Sequence, residues 1–398
     1  MIQEFKIKNF RSFRDEVTLS YEATKDTTFE NSHVVDVAPG VRLLRLALIY
    51  GANASGKSNL LEAFNYLRRF WFQRHVDMDE STETIPFLLD QDTPHEPTEF
   101  SLKFYIDSTK YWYVLSLDSH HVISEKLYLY KSVQPTLLFS REYTNGQSVI
   151  KFNPAAVKVS ATVLEEITLK CLPNMSFFAA RNMVNCSLKY IDDARDWMRQ
   201  KTQPTIDPRT TMFDYAGKKI LENNALKSYL VDFVHRADFN ITDINVEKKV
   251  GDVSTYFEHT VKNSRGTEKY VLPNELQSQG TRRTFGIETA IYKAMANNEF
   301  LPIDEIESSL HPELIEFILE QFLKVKNRSQ LLVTTHYDPL LNTVDDLLRK
   351  DSIWFTDKGE DGNSDLYSLT EFKGLNKIRS FQKSYRNGAF GALPNMQA

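Results

Sequence analysis

The chain has 398 residues, 41% of them hydrophobic and 25% charged, with a net charge of -5 at pH 7. This is enough to bury one large core or two modest ones, and it excludes a surface built throughout as an electrostatic glove for nucleic acid, while leaving room for a local basic stripe. Only Cys171 and Cys186 are present, with no Cys-x-x-Cys or Cys/His cluster, so neither a disulfide framework nor a zinc site is indicated; free thiols in a reducing cytosol are the expectation.

The amino terminus, Ile2 to Phe10, alternates apolar and polar residues as a strand does and lacks the apolar core of a signal peptide. No run approaches the length that spans a bilayer, and the chain reads as cytoplasmic with no membrane partner. A second extended stretch lies near Val17 to Tyr21, and the apolar run Leu43 to Tyr50 predicts a strand. Directly after it come Gly51, Ala52, Asn53, Ala54, Ser55, Gly56, Lys57 and Ser58. Placed between a strand and a helix, this is a phosphate-binding loop: the glycines let backbone N–H groups curl round β- and γ-phosphates, Lys57 supplies a charge, and the Ser58 hydroxyl can join the shell of a magnesium ion. The helix continues through Asn59, with Leu60, Phe64 and Leu67 at helical spacing on one face.

From about Thr98 to Phe152 the pattern has period two, predicting an antiparallel meander with short polar turns. From about Pro154 to Asn240 the chain reads as mostly helical, with Asp192 to Gln200 and Lys218 to Arg236 as the clearer helices and no sustained heptad repeat, so a compact insertion is expected rather than a coiled-coil arm. A strand pair at Thr242 to Val250 and Ser254 to Val261 follows.

Ser278, Gln279 and Gly280 precede a helix through Phe285, Ile287 and Ala290, a second helix start suited to an anion. The short run Phe300 to Ile303 ends in Asp304 and Glu305. In a P-loop enzyme Asp304 is placed for the metal and Glu305 for polarising the attacking water. Pro302 is awkward there, since a central strand would lose a ladder hydrogen bond. Ser308 to Glu313 reads as a helix start, and Gln330 to Thr335 as a buried strand that delivers His336 to its carboxyl end, within reach of a γ-phosphate.

Together these residues resemble the ATP-binding-cassette ATPases of the RecF and structural-maintenance-of-chromosomes type, and more narrowly the bacterial AAA-type ATPases of phage-defence and abortive-infection systems called RloA-like or PtuA-like. The resemblance rests on Ile7 to Phe13, Gly51 to Ala63, Ser278 to Arg283, Ile303 to Pro312, Thr334 to His336 and the closing Tyr385 to Pro394. It implies an α/β fold: an ATPase head with a P-loop core, an antiparallel meander and a compact helical insertion. The division would be residues 1–153 as one ATPase lobe, 154–270 as the mostly helical insertion and 271–398 as the second lobe. It further implies ATP and Mg2+ as cofactors and a homodimer, or higher even oligomer, in which Ser278 and Gly280 act as the signature motif toward the opposite protomer's ATP. Gln279 departs from the glycine usual at that place, and no glutamine stands out for the Q-loop; Gln91, ahead of the meander, is the candidate.

The expected function is an ATP-hydrolysing sensor or regulator of an anti-phage system that controls a separately encoded effector, a nuclease, because fewer than about a hundred residues follow Glu305, little room for a second catalytic fold. Two other readings fit the same motifs. A RecF-like repair ATPase would bind DNA through Lys6, Lys8, Arg11 and Arg14 or through Arg68, Arg69 and Arg74, and an ATP-clamped scaffold would hydrolyse hardly at all.

Overall fold

Alternating apolar and polar residues lay most of the chain's early strands into one antiparallel sheet. In the computed structural model, which describes residues 1–394 except Thr211, Asp238, Val250 and Gly251, the first elements are β1 (Ile2–Lys8), β2 (Val17–Ser20), α1 (Glu30–His33), β3 (Val34–Ala38), β4 (Val41–Leu44), β5 (Leu46–Gly51) and α2 (Lys57–Phe70). The meander follows as β6 (Thr98–Ile106), β7 (Thr109–Leu117), β8 (Val122–Tyr130), β9 (Pro135–Thr144) and β10 (Gln147–Phe152). With β1 and β2 it makes a seven-stranded sheet in the order β10-β9-β8-β7-β6-β1-β2.

The stretch expected as an insertion contains α3 (Ala161–Lys170), α4 (Phe177–Arg181), α5 (Lys189–Lys201), α6 (Phe213–Glu222) and α7 (Asn224–Arg236). The helix expected over 218–236 is two helices, because the Asn223 side chain accepts from the Ala225 and Leu226 N–H groups and so caps a new start. The expected strand pair is a three-stranded sheet of β11 (Ile241–Lys249), β12 (Asp252–Asn263) and β13 (Gly266–Pro273); its expected member Val250 lies outside the described residues. A boundary at 270/271 would therefore cut β13. The stretch also does not form one body: α3 to α5 pack into the core of the antiparallel sheet through Ile167, Phe178 and Trp197, whereas α6, α7 and β11 join a second core through Ala216, Leu230 and Ile244.

The remaining elements are α8 (Gln279–Asn297), β14 (Phe300–Ile303), α9 (Pro312–Lys324), β15 (Gln330–Thr335), β16 (Ile353–Lys358), β17 (Ser364–Ser368) and α10 (Phe381–Arg386). A five-stranded sheet in the order β14-β15-β5-β16-β17 separates the two cores. Its first four strands are parallel, and β17 closes the edge antiparallel to β16. Both faces are covered, and alternation assigns the side chains: Ala47 and Ile49 of β5 enter the first core with Leu60 and Leu67 of α2, while Leu46, Leu48 and Tyr50 enter the second with α8 and α9. Gln330 ties this sheet to the antiparallel one, accepting from the Ile2 N–H at 2.6 Å and donating to the Ile2 and Leu44 carbonyls.

Two irregular residues have local explanations. The run expected as one strand over Leu43 to Tyr50 breaks at Arg45, whose buried guanidinium turns to the Phe322 and Leu323 carbonyls at the end of α9, at 3.1 and 3.3 Å, and lies over the Phe322 ring. A buried charge needs acceptors, and the last turn of a helix has spare ones. Pro302 sits on the edge strand β14. Its backbone faces the 202–206 segment, where Ile206 N–H donates to the Pro302 carbonyl, while pairing with β15 continues on the other side.

Candidate nucleotide site

The strand order places the candidate residues together. β5, β14 and β15 are parallel neighbours, so the loop after Gly51, the carboxylates after Ile303 and His336 after Thr335 all leave the sheet at its carboxyl edge, where ligands collect in parallel α/β sheets.

Two glycines of the phosphate loop are held by strands from the other end of the chain. A Cβ on Gly51 would stand 2.5 Å from Ser55 Oγ and from the Thr356 carbonyl and hydroxyl oxygens, and one on Gly56 would stand 2.7 Å from Ser364 Oγ. Gly56 also has φ +116°, which favours glycine. The Ser55 and Thr356 hydroxyls share a hydrogen bond of 2.6 Å, and Asn59 donates to Ser12 Oγ at 2.8 Å. Asn53, Ala54 and Ser58 are exposed and Ala52 is half-buried. Gly56 is the N-cap of α2, and no side chain caps that helix. Its first-turn N–H groups are thus left for an anion.

Lys57 is 5% exposed, and its Nζ donates to the Gly51 and Ala52 carbonyls at 2.8 and 2.9 Å, 3.5 Å from His336 Nδ1. Burial pulls the amine down from 10.5 to about 8, against the opposing influence of Asp304, Glu307 and Glu305. His336 is lowered as well, chiefly by burial and then by Lys57. Its ring is therefore neutral at pH 7 and has both a donor and an acceptor nitrogen. The His336 N–H is anchored on Glu307 Oε1.

Asp304 and Glu305 both lie past the end of β14, so strand alternation does not reach them. Asp304 is buried and its Oδ1 accepts from Thr334 Oγ1, leaving Oδ2 without a hydrogen-bond partner among the described residues. Glu305 is half-buried at φ +46°, a left-handed conformation costly for a glutamate. Two groups hold it there: the Thr334 hydroxyl accepts its N–H at 2.8 Å, and Arg283 Nη2 donates to its carbonyl at 3.1 Å. Two oxygens, Asp304 Oδ2 and the exposed Ser58 hydroxyl, are free of protein hydrogen bonds among the described residues, a donor set that suits a hard cation such as Mg2+.

Ser278 and Gly280 lie apart from this edge cluster in role. Ser278 Oγ accepts the Thr281 N–H at 3.0 Å and caps α8, and a Cβ on Gly280 would meet the Ser309 carbonyl at 2.7 Å. Both residues therefore have an intramolecular duty. Gln91 is exposed in a bend of the 85–95 segment. Four supports escaped the sequence reading: Thr334, Thr356, Ser364 and Glu307. Thr334 and Glu307 stood inside motifs already noted, but Thr356 and Ser364 carry no local signal at all.

Residues 46–157 and 192–342 match the family described as "AAA domain, putative AbiEii toxin, Type IV TA system". The chain belongs to this family. The first matched stretch of this AAA domain holds the phosphate loop, and the second holds Ser278, Asp304, Glu305 and His336; α3 and α4 fall between them. It is an ATPase domain of the AAA type, α/β in fold. A Helicobacter pylori protein named ATP/GTP phosphatase is 24% identical over 379 residues, covering 88% of this chain and 89% of that protein. Among solved structures, the SMC head domain from Thermotoga maritima aligns with a TM-score of 0.44 and 14% identity over 92% of this chain and 98% of its own. The Smc head domain from Pyrococcus furiosus, with an extended coiled coil and bound to the C-terminal domain of ScpA, aligns with a TM-score of 0.44 and 12% identity over 95% and 99%. Among the described residues no helix is long and apolar enough to cross a membrane.

Proposed function

We propose that this ATPase is a sensor or regulator of a bacterial anti-phage system of the abortive-infection kind, close to the RloA-like and PtuA-like ATPases, which dimerises over ATP and controls a separately encoded nuclease. One observation carries the hydrolytic part: Lys57, Asp304, Glu305 and His336 converge on one sheet edge. The family's description, with its abortive-infection toxin, supports the defence setting.

In this reading the uncapped start of α2 and the Lys57 ammonium bind the β- and γ-phosphates. Glu305 orients water and takes its proton as oxygen adds to the γ-phosphorus and the bond to the bridging oxygen breaks, with ADP as leaving group. Neutral His336 donates to a γ-phosphate oxygen. Ser58 Oγ and Asp304 Oδ2 would hold Mg2+, which supplies positive charge to the β- and γ-oxygens. Ser278 and Gly280 are assigned to the opposite protomer's ATP.

The repair reading is weakened by charge pairing. Lys6 lies 2.8 Å from Glu16, Arg11 3.6 Å from Glu62, Arg14 2.8 Å from Asp361 and Arg69 3.2 Å from Glu83, so these cations are already partnered rather than lined up for phosphates.

Steady-state phosphate release tests the proposal. Wild type turns over, Lys57→Ala loses nucleotide binding, and Glu305→Gln binds ATP but releases phosphate about a hundredfold more slowly. Equal rates for all three would leave only the scaffold. Nucleic acid incubated with the purified chain alone stays intact; cleavage abolished by a substitution outside the ATP site would refute a separate effector.

A further inference from the structure

Along the first turns of α8 lies a cavity of about 500 Å³, within the range typical of small-molecule sites. Residues 279, 282, 283 and 287 line it at helical spacing, and Ile206, Pro208, Arg209, Thr210, Met212 and Phe213 form the opposing wall. Every charged side chain that lines it is an arginine: Arg209, Arg282 and Arg283. None of the three forms an ion pair with a carboxylate among the described residues. The Asp207 carboxylate at the start of the opposing turn accepts the Arg209 backbone N–H at 2.7 Å. Arg283 feels the carboxylates of Asp207, Glu307, Glu305 and Asp304 at longer range, whereas Arg209 and Arg282 are left as guanidinium groups open to an anion.

The arginines differ in mobility. Arg283 is fixed, since its Nη atoms donate to the Asp207, Asp304 and Glu305 carbonyls at 3.3, 3.4 and 3.1 Å, and its buried Nε has no partner. Arg209 and Arg282 are exposed, and the Arg282 guanidinium lies 5.9 Å from the centroid of the Phe213 ring. The remaining wall divides by chemistry. Thr210, Gln277 and Gln279 offer neutral hydrogen-bonding groups, whereas Ile206, Phe213 and Ile287 form an apolar floor. The loop is pressed close to the helix: a Cβ on Gly286 would stand 2.6 Å from Met212 Cβ. The wall that carries Arg209 is therefore set against α8 rather than swinging free.

We infer that this cavity is a second ligand site, distinct from the phosphate loop, which takes a phosphorylated small molecule of the mononucleotide class. Its phosphate sits between Arg209 and Arg282, with the committed Arg283 adding positive charge behind them, and its base lies on the apolar floor beside Phe213 with amide partners from Gln277 and Gln279. Fork-shaped guanidinium groups match phosphate oxygens two at a time, and the aromatic and aliphatic floor suits a planar ring. Neither Ser278 nor Gly280 lines the cavity, although it adjoins the surface assigned to a neighbouring protomer's ATP, so the test must separate the two.

The test uses the full chain carrying Lys57→Ala, which removes binding at the phosphate loop and with it any ATP-closed dimer. Calorimetric titration with the 5′-monophosphates of adenosine, guanosine, cytidine and uridine, and separately with inorganic pyrophosphate, reads the cavity alone. Saturable binding of at least one nucleotide is expected, weakened about tenfold by Arg282→Ala and again by Arg209→Ala, with melting curves unchanged because both side chains are exposed. Pyrophosphate is expected to bind less tightly than the nucleotide, since it leaves the apolar floor uncovered. Absence of saturable binding by every nucleotide, or binding indifferent to both arginine substitutions, would overturn the proposal. So would binding seen only when Lys57 is intact, which would assign the arginines to the ATP of a neighbouring copy.

Discussion

Lys57 shows how far the site departs from what stability alone would select. Its amine is nearly enclosed and titrates at about 8 instead of 10.5, so between those values the unfolded chain holds a proton that the folded chain has lost. Stability therefore rises as pH climbs from 8 to 10.5, and at pH 7 the buried ammonium is a cost. Lys57→Met removes that cost together with two hydrogen bonds to loop carbonyls, a net gain of about 1 kcal/mol, while abolishing nucleotide binding. Denaturant titrations across pH 7 to 10.5 check this: the buried Cys171 thiol and buried tyrosines titrate alike in both proteins, and the wild type gains stability relative to the variant along the series. A variant less stable than wild type at pH 7 contradicts it. The same site shows what the sequence could tell. Lys57 was legible from the Gly-rich loop between an apolar run and a helix, and Asp304, Glu305 and His336 because each follows an apolar run, where a polar residue has few structural reasons to be. Thr334, Thr356 and Ser364 were not, because hydroxyl residues inside strands look like ordinary β-formers until a partner from a distant segment is seen against them.

The elements that could be read were those with an unbroken period. The meander alternates cleanly, and α2 keeps its apolar face over four turns. β13 was missed because its residues are exposed or half-buried throughout, so it leaves no alternation to find. Pro302 is tolerable once β14 is an edge strand, a fact of topology that no local pattern contains. Helix α8 carries a further surprise in Glu288, which is fully buried and bonded to the Tyr229 hydroxyl of α7 at 2.7 Å. Burial lifts its carboxyl from 4.5 to about 8, so at neutral pH it packs as an uncharged group between the two helices. Between pH 4.5 and 8 the folded chain holds a proton that the unfolded chain has released, and stability falls as pH rises through that window. Glu288→Gln keeps the shape and the contact with Tyr229 but has nothing to titrate. Its stability relative to wild type should grow by an amount on the order of 2 kcal/mol or more from pH 5 to pH 8, read by chemical denaturation. An equal pH slope in both proteins excludes a protonated Glu288.

At the scale of the molecule, one parallel sheet separates two cores and exposes one chemical edge. The resemblance named this architecture from ordered motifs, yet the helical stretch between them divides between both cores, because its amphipathic faces turn toward whichever sheet surface lies open at that point. The edge itself has an asymmetry that bears on assembly. The start of α2 lacks a side-chain cap and leaves its first N–H groups open to an anion, whereas Ser278 already caps α8 with its own hydroxyl. If α8 meets the ATP of another copy, Ser278 must share its hydroxyl between cap and phosphate, and closure should be weaker than with an uncommitted donor. Glu305→Gln stops hydrolysis while leaving Lys57 and the loop intact, so ATP should accumulate in a closed dimer. Sizing by light scattering then gives twice the chain mass with ATP and Mg2+, and the single chain mass without them. Adding Ser278→Ala to Glu305→Gln should raise the protein concentration needed for half-dimerisation about tenfold, since a hydrogen bond to a charged phosphate is lost, while ATP binding by the monomer is unchanged. A Glu305→Gln protein that stays monomeric in saturating ATP would remove the head-to-tail dimer from the proposal, and one whose dimer ignores Ser278 would leave that residue as the cap of α8 alone.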